Sequence, residues 1–90
     1  MKNPVNQPNT IEDVIRYLVN LIAEEFNVDP EGIDIDKEFV ELGFDSVNAL
    51  VILDRIEKEF KLELNTLYFW DYPTVRSFAE QIFKDITNKP

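Results

Sequence analysis

The sequence predicts a small all-α, four-helix bundle with three main helices, a short third helix and a long loop between helices one and two. Three stretches, at about residues 11–26, 46–60 and 75–86, carry apolar residues at the three- and four-residue spacing of amphipathic helices. Both glycines of the chain, Gly32 and Gly43, fall between the first two stretches, which indicates a connection there. At 90 residues, the chain is long enough for one domain with a modest core.

Helix one is predicted over residues 11–26. Thr10 is a favourable N-cap residue, and Asp13 three positions later forms a short variant of the capping box. The helical spacing is carried by Ile11, Val14, Ile15, Leu18, Leu21 and Ile22. Residues 1–9 are polar and contain two prolines, which predicts a disordered leader.

The long connection, residues 27–45, contains apolar residues that predict contact with the helices. These residues are Ile33, Ile35, Phe39, Leu42 and Phe44.

Helix two is predicted over residues 46–60. Its predicted core face consists of Ala49, Leu50, Leu53, Ile56 and Phe60. Val47 and Val51 fall on the opposite, solvated face, which favours a small docking patch beside the helix start.

A short third helix is predicted over residues 66–70, with Asn65 as its cap. Its apolar run, Leu67, Tyr68, Phe69 and Trp70, favours packing against the bundle. Pro73 prevents the last helix from extending backwards, and Thr74 is its predicted N-cap. This helix is predicted to end near residue 85 or 86, so the domain spans residues 10–86 and residues 87–90 form a frayed tail.

The composition argues against several classes of function. The chain has no cysteine and no histidine, so it lacks the commonest general base, metal ligand and reactive nucleophile. A net charge of −9 argues against nucleic acids and anionic membranes as partners. No apolar run approaches the roughly 20 residues that cross a bilayer, and no signal peptide is recognisable. We therefore expect a cytoplasmic protein that is monomeric as an isolated domain.

The segment Leu42-Gly-Phe-Asp-Ser46 places one hydroxyl between a glycine turn and the predicted second helix. Gly43 permits a sharp turn, and both Asp45 and Ser46 are favourable N-cap residues. A phosphate on Ser46 would face the positive end of the helix dipole. A serine in this position is therefore expected to be accessible to modification.

This segment resembles the attachment motif of acyl and peptidyl carrier proteins, whose serine carries a 4′-phosphopantetheine arm. The stretch Asp71-Tyr-Pro-Thr-Val75 resembles a second signature of the family, especially of polyketide-type carriers. The resemblance covers about residues 11–86. It implies a four-helix carrier without catalytic residues of its own, with the arm on Ser46 as covalent cofactor. It also implies that Asp45 helps to arrange metal and coenzyme A while the arm is attached.

The resemblance further implies two kinds of partner: a phosphopantetheinyl transferase, and synthase enzymes that load, extend or modify an acyl group held as a thioester. Docking is expected along helix two and the preceding turn. The predicted docking residues are Glu41, Phe44, Val47, Val51, Asp54 and Arg55. Fatty-acid-type members of the family are usually more uniformly acidic on helix two, where this chain has Arg55 and Lys58. The resemblance therefore favours a polyketide or mixed polyketide–peptide pathway. A peptidyl (aminoacyl) or a fatty-acid carrier is the alternative.

Other interpretations of the same residues remain open at this point. One interpretation is that Ser46 is the nucleophile of a hydrolase, but the sequence has neither a histidine to act as its base nor the Gly-x-Ser-x-Gly pattern. Ser46 as a helix cap alone would leave the valines and the second signature unexplained. Residues 27–38 match five EF-hand positions, although Pro30 interrupts the loop and no second copy follows. The matching residues are Asn27, Asp29, Glu31, Gly32 and Glu38. A plain helical docking module is the last alternative.

Overall fold

The structure of the protein, a computed structural model, describes residues 9–88. Four α-helices follow in chain order: α1 (Ile11–Phe26), α2 (Ser46–Phe60), α3 (Tyr68–Asp71) and α4 (Val75–Thr87). A 3₁₀ turn (Pro30–Gly32) lies in the long connection between α1 and α2. Within the described residues there is no β-strand, only an isolated bridge between Glu38 and Thr74. The predicted all-α fold with its long first loop is confirmed.

The helix limits follow from local capping. Thr10 and Asp13 form a reciprocal capping box at the start of α1, and Thr74 and Ser77 form another at the start of α4. Asn27, with a φ of 56°, ends α1 in the left-handed conformation. The predicted limits of α1 and α2 are confirmed. Thr87, predicted as the start of a frayed tail, is instead the last residue of α4.

The predicted leader and tail lie largely outside the described residues, since nothing is described before Asn9 or after Asn88. Asn9 itself belongs to the start of α1, because its backbone N–H donates to the Asp13 carboxylate at 2.9 Å.

The core lies between α1, α2 and α4. Fully buried side chains come from all three helices: Val14, Leu18, Ile22, Ile52, Ile56, Val75, Phe78 and Ile82. The long loop is held against them as predicted, because Phe39 is buried and Ile33, Ile35, Leu42 and Phe44 pack around the core. At roughly 25 cal/mol per Å² of apolar surface removed from water, this burial is what stabilises so small a domain.

The predicted core face of α2 was wrong at Leu50. That side chain is 54% exposed, whereas Ile52, which was not assigned to the core, is 1% exposed. At roughly 100° per residue, Leu50 lies about 120° around the helix from the buried Ile56. The core therefore meets α2 on the side of Ile52, Leu53 and Ile56, and Leu50 is left at the edge.

The third helix is shorter and starts later than predicted. The predicted cap was wrong, because the helix begins after Leu67, which makes no side-chain cap bond. Asn65 stabilises the preceding turn instead, where its side-chain oxygen accepts the N–H of Leu67 at 2.8 Å. The apolar run does not pack as one unit. Tyr68 and Phe69 pack against the core, whereas Leu67 is 55% and Trp70 is 74% exposed. A four-residue helix can present only one side to the bundle, so its other side chains remain in solvent.

The connection before α2 is tied to the start of α4. The N–H of Phe39 donates to the carbonyl of Pro73 at 2.8 Å, and the N–H of Arg76 donates to the carbonyl of Ile35 at 3.1 Å. The Arg76 guanidinium also pairs with the Asp36 carboxylate at 2.7 Å, and this contact lowers the pKa of Asp36. The loop is thereby held beside α3 and α4, where it forms one wall of the site described next.

Candidate functional site

The turn before α2 is set by a glycine and an aromatic anchor. Gly43 has a φ of 96°, a conformation that other residues rarely adopt, and its N–H donates to the carbonyl of Val40 at 3.2 Å. Phe44 follows and is half-buried. Its ring contacts those of Phe26 at 5.0 Å and Phe39 at 4.8 Å between centroids. The turn is therefore held from both α1 and the loop.

Asp45, not Ser46, is the N-cap of α2. Its Oδ1 accepts the N–H of Asn48 at 2.9 Å, and the Asn48 side chain accepts the N–H of Asp45 at 3.4 Å. Ser46 is thus the first helical residue, and its side chain is exposed. The interpretation of Ser46 as a helix cap alone was wrong, because Asp45 already performs this function.

The Ser46 hydroxyl is available for modification. None of the hydrogen bonds within residues 9–88 involves its side chain. The backbone N–H groups of the first helical turn lack partners within the helix and give this end of α2 a partial positive charge. A phosphate diester on Ser46 would be stabilised by this charge, so the residues present fit the 4′-phosphopantetheine group.

An apolar groove of about 640 Å³ runs beside this serine. Its walls come from the loop, the start of α2 and the α3 region. Its lining consists of Glu38, Phe39, Val40, Phe44, Asp45, Ser46, Ala49, Leu50, Thr66, Phe69, Trp70 and Pro73. The volume lies within the range of small-molecule pockets, about 300–1,000 Å³. A group attached to Ser46 could lie against apolar walls without leaving the domain.

The α3 wall of the groove is fixed to α4 by a part-buried hydrogen bond between side chains. The Tyr68 hydroxyl donates to the Asp85 carboxylate at 2.9 Å, and the Gln81 side chain donates to the other oxygen of that carboxylate at 2.8 Å. Burial, together with the neighbouring Asp85 carboxylate, raises the pKa of Tyr68 to about 12. The hydroxyl therefore remains a hydrogen-bond donor to Asp85 even above pH 10, and this bond holds α3 in place.

The structure brings together some of the predicted docking residues and separates others. Val47, Val51 and Asp54 share one face of α2, where Val47 is 66% and Val51 is 36% exposed. Asp54 pairs with Lys58 on this face at 3.1 Å. The first residue of the helix, Ser46, lies at the end of this face.

Three further predicted docking residues occupy different surroundings. Arg55 lies towards α1, where it pairs with Glu24 at 3.0 Å. Glu41 is exposed in the turn, and its carboxylate accepts the N–H of Glu38 at 3.1 Å. Phe44 is half-buried in the aromatic cluster and offers only part of its ring to solvent.

Three exposed apolar residues of the site were not assigned to it from the sequence: Val40, Leu50 and Trp70, the last of which was expected to pack against the bundle. Their exposed fractions are 62%, 54% and 74%, and all three line the groove. For Leu50 a signal was present, because it lies within about 60° of Val47 on a helical wheel. For Val40 and Trp70 no local pattern indicates that they meet across one groove.

The calcium interpretation of residues 27–38 finds no support in the geometry. The Asp29 carboxylate caps the 3₁₀ turn by accepting the N–H of Glu31 at 2.9 Å, and Asp36 pairs with Arg76. Across residues 9–88, no group of three or more acidic side chains is arranged to hold a metal ion. These carboxylates stabilise turns and the contact between the loop and α4 instead.

A model of the family described as phosphopantetheine attachment site matches residues 16–82, which include the turn, Ser46 and the groove. Polyketide synthase PksL of Bacillus subtilis is 30% identical over 76 residues, which cover 84% of this chain. The chain spans only 2% of the length of that synthase.

In the part of the chain that the structure describes, no helix has the length and apolar character needed to cross a membrane.

Solved structures of similar chains have the same fold. A free-standing peptidyl carrier protein from a secondary metabolic pathway of Acinetobacter baumannii is 36% identical, with a TM-score of 0.81 over 84% of this chain and 95% of that one. An acyl carrier protein from Anabaena sp. PCC 7120, with a variant phosphopantetheinylation-site sequence, is 32% identical. Its TM-score is 0.79 over 86% of this chain and 88% of that one.

Proposed function

Because the chain belongs to the phosphopantetheine attachment-site family of carrier domains, we propose that Ser46 carries its covalent 4′-phosphopantetheine arm. The observation that carries this assignment is the position of the Ser46 hydroxyl. It is exposed, lacks a hydrogen bond within residues 9–88, and lies at the positive end of α2 beside an apolar groove. The other serine of the chain, Ser77, is committed to the capping box of α4.

Attachment requires a separate phosphopantetheinyl transferase. In that step the Ser46 Oγ forms a bond to the phosphorus that carries pantetheine in coenzyme A. The pyrophosphate P–O bond breaks, the adenosine 3′,5′-diphosphate part leaves, and the hydroxyl proton passes to a base of the transferase. The chain has no histidine, and no base lies within hydrogen-bond reach of Ser46 in the described residues. Asp45, adjacent to Ser46, is proposed to help arrange the metal ion and coenzyme A.

The loaded domain acts as a carrier and not as a catalyst. The thiol of the arm would hold an acyl group as a thioester, and tethering would raise its effective concentration at each partner active site. This explains how a chain without cysteine or histidine takes part in acyl chemistry. The partners would be the enzymes that load, extend or modify the acyl group.

A polyketide or mixed polyketide–peptide pathway is the proposed setting. It is supported by the likeness to a polyketide synthase and by the basic residues Arg55 and Lys58 on α2. The likeness to a peptidyl carrier protein supports the aminoacyl alternative. A loading test separates them: an acyltransferase would acylate the arm in the first case, and an adenylating enzyme would aminoacylate it in the second.

Docking is proposed along the exposed face of α2 below Ser46. Val47 and Val51 would supply the apolar contacts, and Asp54 and Glu41 would steer a basic partner surface. Leu50 extends the apolar strip towards the groove. An interface made of so few side chains is small, and small interfaces suit the short encounters with several enzymes that a carrier requires.

Intact-protein mass spectrometry tests the attachment site. The wild type, Ser46→Ala and Ser77→Ala are incubated with coenzyme A, magnesium and a broad-specificity phosphopantetheinyl transferase. We expect one phosphopantetheine increment on the wild type and on Ser77→Ala, and none on Ser46→Ala. Because the chain has only two serines, Ser77→Ala is the matched control. A folded wild type that gains no mass would refute the proposal, and an increment on Ser46→Ala would refute the site.

A further inference from the structure

A second, smaller cleft lies between the end of α1 and the first part of the long loop. Its volume is about 250 Å³, and none of its lining residues belongs to the groove beside Ser46. Most of the lining is apolar: Ile22, Phe26, Val28, Ile33 and Leu42, with Asp29 and Gly32. The volume is below the roughly 300 Å³ at which small-molecule pockets begin, so it suits a single side chain better than a ligand.

Gly32 lines this cleft, and its backbone conformation is one that other residues can also adopt. Gly43 has a positive φ, but Gly32 does not. A Cβ added at Gly32 would meet nothing within 4 Å. The side chain of Val28, beside it, is 51% exposed. The cleft therefore exposes apolar walls and a valine to water. Burial of this surface by a partner would be favourable.

The charge around the cleft indicates what kind of group would cover it. Residues 24–34 contain five acidic residues and no basic one. Of these, Glu24 is paired with Arg55, whereas Asp29, which lines the cleft, has no ion pair among the described residues. A second copy of this chain, with a net charge of −9, would be repelled. A basic partner would be attracted.

We propose that this cleft is a docking site for a protein segment that presents one leucine-sized side chain flanked by lysine or arginine. The cleft is connected to the turn before Ser46, because Phe26 lines it and packs edge-on against Phe44 at 5.0 Å. A partner seated here would approach the domain from the α1 side, away from the exposed face of α2. The inference does not depend on the arm, since no residue of the cleft lines the groove beside Ser46; the two sites share only the short segment that runs from Leu42 to the serine.

Methyl NMR titrations of the full unmodified chain test the proposal with defined peptides. The probes are N-acetyl-Lys-Leu-Lys-amide, its Lys-Ala-Lys counterpart and its Glu-Leu-Glu counterpart. We expect saturable shifts at the methyls of Val28, Ile33 and Leu42 with the leucine peptide. Binding of the alanine peptide should be about tenfold weaker, because less apolar surface is buried. The acidic peptide should cause no saturable shift.

Two variants locate the binding. Gly32→Leu adds a branched apolar side chain at a lining position of the cleft where a Cβ meets nothing within 4 Å, and it should abolish the shifts by competing with the peptide side chain for the apolar walls. Val40→Leu changes another exposed loop position, which lines the other groove and not this cleft, and should leave the shifts unchanged. Circular dichroism checks that Gly32→Leu is folded. If it is not, Val28→Ser, at an exposed position, replaces it and should weaken binding several-fold.

Three results would overturn the proposal. Shifts spread over the acidic surface, equal for leucine and alanine peptides, would mean charge attraction alone and would overturn it. The absence of any saturable shift in the wild type would also overturn it. Retention of full binding in folded Gly32→Leu would show that the peptide sits elsewhere.

Discussion

Asp45 should have two separable functions, the N-cap of α2 and a carboxylate needed for attachment of the arm. Asp45→Ala removes the oxygen that accepts the N–H of Asn48 at 2.9 Å. The loss of such a cap lowers the free energy of unfolding by about 1 kcal/mol. Asp45→Asn keeps a cap oxygen of equal quality and loses only the attraction of the charge to the helix dipole. It should therefore cost no more than about 0.5 kcal/mol.

Urea denaturation followed by circular dichroism at 222 nm measures the stability term. Fluorescence is unsuitable, because the only tryptophan, Trp70, is 74% exposed in the folded state. Thr74→Ala is the matched control. It removes the equivalent cap at α4, where the Thr74 Oγ1 accepts the N–H of Ser77 at 3.1 Å, and should also cost about 1 kcal/mol.

The rate of arm attachment measures the second function. Both Asp45 variants should lower kcat/KM for the transferase by at least roughly tenfold, because a carboxylate available to the metal ion is lost. Thr74→Ala should attach the arm at the wild-type rate. Equal destabilisation by Asn and Ala at position 45 would refute the capping argument. A normal rate for Asp45→Asn would refute the need for the charge.

Three further measurements test other parts of the structure. Ile52→Ala should lower the free energy of unfolding by about 2–5 kcal/mol, and Leu50→Ala by less than about 1 kcal/mol, in urea titrations; equal costs would contradict the orientation of α2. Burial raises the pKa of both Tyr17 and Tyr68 to about 12. Because the neutral phenols are favoured in the folded state, the contribution of these two tyrosines to the free energy of unfolding should be constant well below pH 10 and should fall between pH 10 and 12. Absorbance at 295 nm should show both phenols of the folded protein ionising above pH 10. Gly43→Ala should lower the thermal midpoint, because alanine is strained at a φ of 96°; an unchanged midpoint would refute this.

Much of the fold could be predicted because the deciding interactions are local. The N-caps Thr10 and Thr74 each bond to a backbone N–H only three positions away, so their residue types indicate both caps in the sequence. The partner Asp13 in the first capping box was predicted as well, whereas the partner Ser77 in the second was not. The same holds for the limits of α1 and α2, which follow from apolar spacing between a cap and a turn. The candidate serine was also found locally, from a glycine turn followed by a helix start.

The choice of cap at α2 lay beyond sequence reasoning, because Asp45 and Ser46 are both good N-cap residues. Backbone geometry decided between them: Asp45 is extended, with a φ of −119°, and its carboxylate reaches Asn48. The serine was thereby left in the first helical position with its hydroxyl unpaired among the described residues.

The surroundings of Ser46 were decided only by tertiary packing. Leu50 is exposed because the core meets α2 on the side of Ile52, and Trp70 is exposed because α3 turns Phe69 inwards instead. Val40 lines the groove from the loop before α2. This loop is held to the segment before α4 by the hydrogen bond from Phe39 to Pro73, two residues that are 34 positions apart in the sequence. A groove is the space between elements distant in sequence. The shape of the groove depends on how those elements pack together. The spacing of residues within any one element therefore does not predict it.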